Sequence, residues 1–512
     1  MNVMKSHKTL FAVTSFFLYV TCLTFSWVLI QPPYGISDEP AHTIKAVASA
    51  YGQFDSPQAV GQFGYGAYKY EIPKVFTSIW HFTCYDSNTR VTAACIGDFP
   101  EGSELVGTTS TAGPYPPTYY SAVGWPGRLV PSQTGFYLMR FFSALLFCLI
   151  LTYTFWLQFL SSQSRNAWIS ILLLLTPAVS SFSAVINPFA MEIAAAALFW
   201  TSAILLTDSR ESNRESKHLW VALVISSLLF SIIRPAAFIW IAVSAFFVFF
   251  SSPKNGILVS RFKDKIVRSL VGIVFNAIVV SIAITYRSRT DLEADAANTI
   301  KPMVGPGGDT VSNMLISYGN LGTFFRQFFG YFGWTSFYPP KVVPALFMTA
   351  LVLSLGLVTL KQWRMLAGLA ALLSFVFFSP VVLEGARASH AGFFYQGRYL
   401  LPVAVGIPIY IWLRGTERKP NRMTPVLTTT IIGLSAGSSI FTANYVARRF
   451  VSGTDGRLLW FFDVKWSPPG GAFVTLSLLV AATVFACLMA AVVVVDTEVR
   501  PKLEIVDSVQ NH

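Results

Sequence analysis

Apolar runs of roughly 20 residues recur along this chain, separated by shorter polar stretches. Each run is long enough to cross about 30 Å of hydrocarbon as a helix, and the pattern predicts about twelve spans. They lie at 10–30, 136–160, 167–184, 189–207, 219–233, 235–250, 268–286, 343–360, 365–382, 399–413, 424–444 and 472–495. The fifth and sixth are short and meet at Arg234-Pro235. Proline breaks a helix there, so the pair forms either a tight hairpin or one kinked span. The expected fold class is an all-α polytopic membrane protein. The first run follows Lys5, His7 and Lys8, as a signal peptide would. It exceeds a typical signal h-region and lacks a small-residue cleavage site, so it reads as a retained first helix.

Composition narrows the class. Of 512 residues, 53% are hydrophobic and 12% charged, against about 25% charged in soluble proteins. The mean hydropathy is +0.54. The net charge of +12 is first a topology signal. With the N-terminus inside, the short inner loops hold dense basic clusters, such as Arg210, Arg214 and Lys217, or Arg414, Arg418, Lys419 and Arg422. The much longer outer segments hold a similar number of basic residues. A miscount by one span in the middle would put the 414–422 cluster outside, so even parity and two cytoplasmic termini are expected. Four segments then lie outside: 31–135, 287–342, 383–398 and 445–471. Basic residues are scattered between spans and form no face for nucleic acid. The inner loops leave no room for a nucleotide-binding domain, and no P-loop, dinucleotide glycine motif, His-Glu-x-x-His or Gly-x-Ser-x-Gly pattern is convincing. ATP-driven transport and cytoplasmic nucleotide-sugar chemistry are disfavoured.

Polar residues at the span ends carry the candidate chemistry. Gly35-Ile-Ser-Asp-Glu-Pro-Ala-His42 puts Asp38 and Glu39 where the chain leaves the first span. A carboxylate at that depth is half out of water, so its pKa is tunable. A compatible plainer reading is a helix start, with Ser37 as N-cap, Pro40 in the first turn and acids favoured by the macrodipole. His42 shares the helical face of Asp38, to tune the acid or to sit at the interface. Arg398, in Gln396-Gly-Arg-Tyr-Leu-Leu-Pro402, either snorkels to headgroups or grips a phosphate bidentately. Arg387 and His390 are close by in sequence, and Glu384 is available to pair with one of them. Glu192, in Asn187-Pro-Phe-Ala-Met-Glu-Ile193, is ionisable within a span and needs a partner such as Arg234 or Arg140. A structural salt bridge is the alternative to a functional role. The aromatic run from Arg326 to Pro340 reads as an interfacial helix or as stacking surface for a sugar or isoprenoid. Arg448, Arg449, Arg457, Lys465 and Trp466 are candidates for an anionic headgroup.

The 31–135 segment is rich in Gly, Pro, Tyr and Phe, which suits short interfacial helices better than a disordered tail. One is expected to begin near Asp38. Of five cysteines, Cys22, Cys148 and Cys487 fall in spans and read as inert packing. Cys84 and Cys95 are the only pair in an outer loop and are expected to form a structural disulfide. Two thiols without further ligand spacing make no zinc site.

An acidic motif after the first span, a long first outer loop and about a dozen spans resemble the GT-C glycosyltransferases. Ser37-Asp-Glu-Pro-Ala-His42, the Cys84/Cys95 pair, Tyr115-Pro-Pro-Thr-Tyr-Tyr120, Asn187–Ile193 and Gln396–Pro402 resemble a bacterial domain-of-unknown-function membrane family grouped with them. The resemblance runs from about residue 10 to 495 and rests on the order and placement of these strings. It implies one GT-C-like domain over 1–495, with a cytoplasmic tail at 496–512, in a bacterial cytoplasmic membrane. It implies an inverting enzyme moving a sugar from a polyprenyl-phosphate donor to a cell-envelope glycan or glycolipid outside the cytoplasm. In that reading Asp38, or else Glu39, is the general base; Arg398, then Arg387 and His390, meet the phosphate. A lipid-monophosphate donor does not strictly require a metal, and a divalent cation stays open. The rival readings are a transporter or flippase for a lipid-linked or anionic solute, and a non-catalytic protein on the same scaffold. Internal repeats would favour the transporter, but the long outer loop has no counterpart in the second half.

Overall fold

The computed structural model describes residues 2–55, 58–60, 66–77, 84–86, 88–161, 166–207, 215–234, 237–252, 309–393 and 395–510. The expected span 268–286 and the loop residues 287–308 lie outside them. The fold is mainly helical. Among the described residues, six helices are long and apolar enough to cross a membrane. These are α1 (Asn2–Ile30), α4 (Gln133–Ser161), α7 (Phe189–Thr207), α13 (Trp363–Ala391), α15 (Met423–Val451) and α16 (Gly471–Gln510). Helix α7 is central, with 94% of its apolar window buried against 22% in α13 and 28% in α16. Those two present apolar side chains outward, which a hydrocarbon solvent tolerates and water does not.

Several expected spans take other forms. Span 167–184 is two short helices, α5 (Ile169–Leu174) and α6 (Pro177–Ser183), every residue of which is buried. The cause is Thr176-Pro177: the threonine hydroxyl caps α6 and the proline starts it. Neither piece is long enough to cross a bilayer. Spans 219–233 and 235–250 are separate helices, α8 (Glu215–Ile233) and α9 (Ala237–Phe250), that pack on α7 and on each other. Span 343–360 is the shorter α12 (Val342–Leu357). Span 399–413 starts as a 3-10 turn at Gly397–Leu400, continues as Leu401–Ala404 and ends as α14 (Gly406–Arg414). Pro402 and Pro408 lie in this broken stretch.

The loop between α1 and α4 is a small folded body. Helix α2 (Glu39–Ala50) is buried along almost its whole length, so it is an internal element and no interfacial one. Helix α3 (Pro117–Leu129) crosses it so closely that a Cβ at Gly124 would lie 1.9 Å from the Ala46 carbonyl oxygen. Three antiparallel strands, β1 (Gln58–Val60), β2 (Gly66–Pro73) and β3 (Leu105–Ser110), join these helices, with Tyr68 opposite Ser110 and Ile72 opposite Val106. Tyr68, Tyr70 and Ile72 face inward while Lys69 and Glu71 are exposed, the alternation of a half-buried strand. Cys84 and Cys95 are joined by a disulfide.

Four segments converge at one end of the bundle. Arg449, near the end of α15, donates to the carbonyls of Tyr85, Asn88 and Val91. Asp86 accepts from the Trp334 backbone, and the Trp334 indole donates to the carbonyl of Tyr34, whose φ is +55°. Thr454 packs on Thr89. The tertiary structure thereby gathers parts of 31–135, 309–342, 383–398 and 445–471 around the start of α2.

Candidate functional site

Asp38 occupies the N-cap position of α2, one residue after the expected Ser37. Its carboxylate makes no capping bond. It turns away and accepts from Arg398 Nη2 at 2.6 Å, across 360 residues of chain. The Asp38 side chain is 45% exposed and that of Arg398 9%. Burial alone would raise the Asp38 carboxyl. The charge and hydrogen bond of Arg398, with the charge of Arg234, outweigh it and hold the group below the usual carboxylate range. Asp38 is therefore an anion at neutral pH.

Glu39 points the other way. Arg140 Nε and Nη2 donate to its two carboxylate oxygens at 2.7 and 2.5 Å, and the Ile186 N–H adds a bond of 3.1 Å. Both side chains are fully buried. Arg140 also donates to the carbonyls of Val28, Gln31 and Pro32, the last residues of α1 and the turn after it. This bidentate pair ties α1, α2, α4 and the start of α7 together. With every oxygen committed, Glu39 has no lone pair facing solvent.

His42 lies one turn beyond Asp38. Its Nδ1 shares a 2.7 Å hydrogen bond with the Tyr120 hydroxyl, and its ring packs on Tyr115 and Tyr120. Burial, reinforced by Arg234 and Arg398, pushes its pKa down to about 4 against the pull of Asp38. His42 is neutral at pH 7 and serves as a polar wall beside the acid.

Arg398 rides on a pinned turn. Glu384 Oε1 accepts from the Tyr395 N–H at 2.7 Å, and Gln327 Oε1 from the Gly397 N–H at 2.5 Å. Gly397 is required by close approach: a Cβ there would lie 2.1 Å from the carbonyl oxygen of Phe324, in α11 (Leu321–Gln327). The guanidinium stacks over Phe182 and Tyr399, and its Nε is buried without a hydrogen-bond partner. Glu192 pairs with Arg234 at 2.7 Å, and the Arg234 guanidinium stands over Tyr115 and Phe189. Two arginines thus flank Asp38, one in direct contact and one close enough to act on its charge.

Of the residues singled out by sequence, the structure brings Asp38, His42, Arg398 and, through Arg234, Glu192 to one place. Arg387 is exposed on α13, while the side chain of His390 lies outside the described residues. Tyr115, Tyr120 and Tyr399 had no role assigned from the sequence, although all three stand in the motifs that carry the resemblance. Among the described residues no group of three or more His, Cys, Asp or Glu side chains is arranged to hold a metal ion.

One solved structure similar to this chain is ArnT from Cupriavidus metallidurans in the apo state. It is 12% identical with a TM-score of 0.41, over 94% of this chain and 75% of that one. No curated protein matches the sequence. Residues 22–407, which carry α2, the Glu39–Arg140 clamp and the Arg398 turn, match a family described as predicted membrane protein (DUF2142). The chain belongs to the DUF2142 family of predicted membrane proteins.

Proposed function

We propose that this protein is a membrane glycosyltransferase that takes a sugar from a lipid-phosphate donor, with Asp38 as general base and Arg398 as phosphate ligand. The observation that carries the reading is the 2.6 Å contact between Asp38 Oδ2 and Arg398 Nη2. It joins an ionised, solvent-reaching carboxylate to a largely buried guanidinium that keeps an unpartnered N–H. In the transfer, an acceptor hydroxyl attacks the anomeric carbon and gives its proton to Asp38. The bond from that carbon to the phosphate oxygen breaks, and the lipid phosphate leaves with the electron pair. A single displacement inverts the anomeric centre. Developing charge on the phosphate is met by Arg398, with Arg234 behind it. As the phosphate draws Arg398 away, Asp38 loses its strongest stabilising charge and becomes a better base.

Two further features support the reading. A hollow of about 120 Å³ with almost wholly apolar walls begins at Leu401, three residues past Arg398, and runs along Leu173, Phe328, Phe329 and Phe377. It suits part of an isoprenoid chain whose phosphate rests on the arginine. The gathering of all four expected outer segments at the Asp38 end supports a site on the extracytoplasmic face, for an envelope glycan or glycolipid acceptor. The test is sugar transfer from a radiolabelled polyprenyl-phosphate sugar in membranes, together with glycan analysis of a deletion strain's envelope. Loss of transfer in Asp38→Asn and Arg398→Ala at normal protein level is expected; unchanged transfer in both overturns the assignment.

A further inference from the structure

A second, polar cleft of about 600 Å³ opens on the outward face of the three-stranded sheet, beyond the far end of α2. Its walls include Gln53, Asp55, Lys69, Glu71, Gly107 and Thr109. The volume is in the range of small-ligand sites, and the wall sets carboxylates, an ammonium, an amide and hydroxyls among the carbon surface of their own side chains and of Tyr70. Gly107 sits inside β3 directly opposite Glu71. A glycine there weakens a strand and marks a place where something approaches closely. The space above it is open: a Cβ at Gly107 would meet no heavy atom within 4 Å.

The rim and floor are fixed. The Gln53 amide donates to the Glu71 carbonyl at 2.6 Å and accepts from its N–H at 2.8 Å, pairing like one more strand. Lys45, on α2, donates to the Phe54 carbonyl and to the Tyr70 hydroxyl beneath the cleft. A preformed polar wall loses little entropy on binding. Two carboxylates beside one exposed ammonium give no trap for phosphate. Carboxylates that accept and a lysine and threonine that donate, alternating at strand spacing, match vicinal hydroxyl groups.

We infer that this cleft binds an uncharged, polyhydroxylated oligosaccharide, the distal part of the acceptor in the glycosyl transfer proposed above, on which the inference rests. The Gln53 end of the cleft follows the 12 residues of α2 and lies about 18 Å from Asp38, while Ser110, next to Thr109 at the other end, donates to the Ala41 carbonyl near the start of α2. The acceptor is therefore an extended glycan that reaches from the outer face of the sheet toward Asp38.

The test uses full-length protein immobilised in detergent and fluorescently labelled oligosaccharides released by mild acid from the envelope of the cells that make it. Wild type is expected to retain labelled oligosaccharide. Gly107→Tyr, whose Cβ meets no heavy atom within 4 Å, places a ring in the cleft, and Asp55→Asn with Glu71→Gln removes two charged acceptors. Each is expected to weaken retention by about tenfold or more, while Gly107→Ala and Asp38→Asn retain as wild type does. No retention by wild type, equal retention by the cleft variants, or loss in Asp38→Asn alone overturns the proposal. Retention lost in the cleft variants, with no sugar transfer by any form, sustains the cleft and overturns the enzymatic reading alone.

Discussion

At Glu39 both carboxylate oxygens are held by Arg140 and a backbone N–H, and neither partner meets solvent. One residue earlier, Asp38 keeps 45% of its side chain exposed and contacts one nitrogen of an arginine whose Nε has no partner. The two acids are chemically alike and adjacent, yet they start α2 on opposite sides. Closure separates them. A fully satisfied buried pair is a fixed structural part, because undoing it strands a charge. A half-open pair is exchangeable, since water or a ligand can replace either partner at small cost.

The comparison breaks most visibly at Arg140. Arg140→Ala leaves Glu39 buried without its counter-charge and three carbonyls without a donor. It is expected to cost about 3–5 kcal/mol, read as lost folded protein in membranes and a lower unfolding temperature in detergent. Asp38→Asn sharpens the opposite half. Its carboxylate is half open to solvent and asparagine keeps an oxygen to accept from Arg398, so abundance should hold, while removal of a general base should slow sugar transfer by about 10²–10⁴. A stability loss as large as that of Arg140→Ala would make Asp38 a structural acid too.

Arg398→Lys keeps the charge but loses the planar fork. Its expected signature is a weaker dependence on the lipid-phosphate donor, seen as a raised KM, with protein level unchanged. The smallest effect belongs to His42. Its folded pKa of about 4 lies below the ordinary 6.5. Between those values the unfolded chain binds a proton that the folded protein does not, so stability falls as pH drops through that window. Asp38, held low, contributes stability that is lost only at more acid pH, as its own carboxyl protonates. Thermal unfolding from about pH 7 to about pH 4 checks this: wild type should lose stability from about 6.5 downward, and His42→Gln should flatten that slope.

Much of the fold was legible along the chain. Long apolar runs became long helices at 10–30, 136–160, 189–207, 365–382 and 424–444 because hydrocarbon length demands helix length. The runs that failed share a feature: proline at 177, 402 and 408 cut them into pieces that are buried by other helices. Hydropathy cannot tell a helix buried in protein from one buried in lipid, so span 167–184 read like the rest. The sheet was missed for a different reason. Leu105-Val-Gly-Thr-Thr-Ser110 is short and interrupted by glycine, and its alternation emerges only once β2 lies beside it.

Sequence by itself determined that the chain is a helical membrane protein and that its unusual ionisable groups sit at span ends. The physical reason is local: the cost of exposing backbone or charge to hydrocarbon acts on each segment separately. It also placed Arg234 and Arg140 among the arginines that could partner Glu192. Only the tertiary structure assigned Arg234 to Glu192 and Arg140 to Glu39, and turned Asp38 toward Arg398. Ion pairing depends on distances of a few ångströms between residues 42 to 360 positions apart. That information exists once the helices pack, and not before.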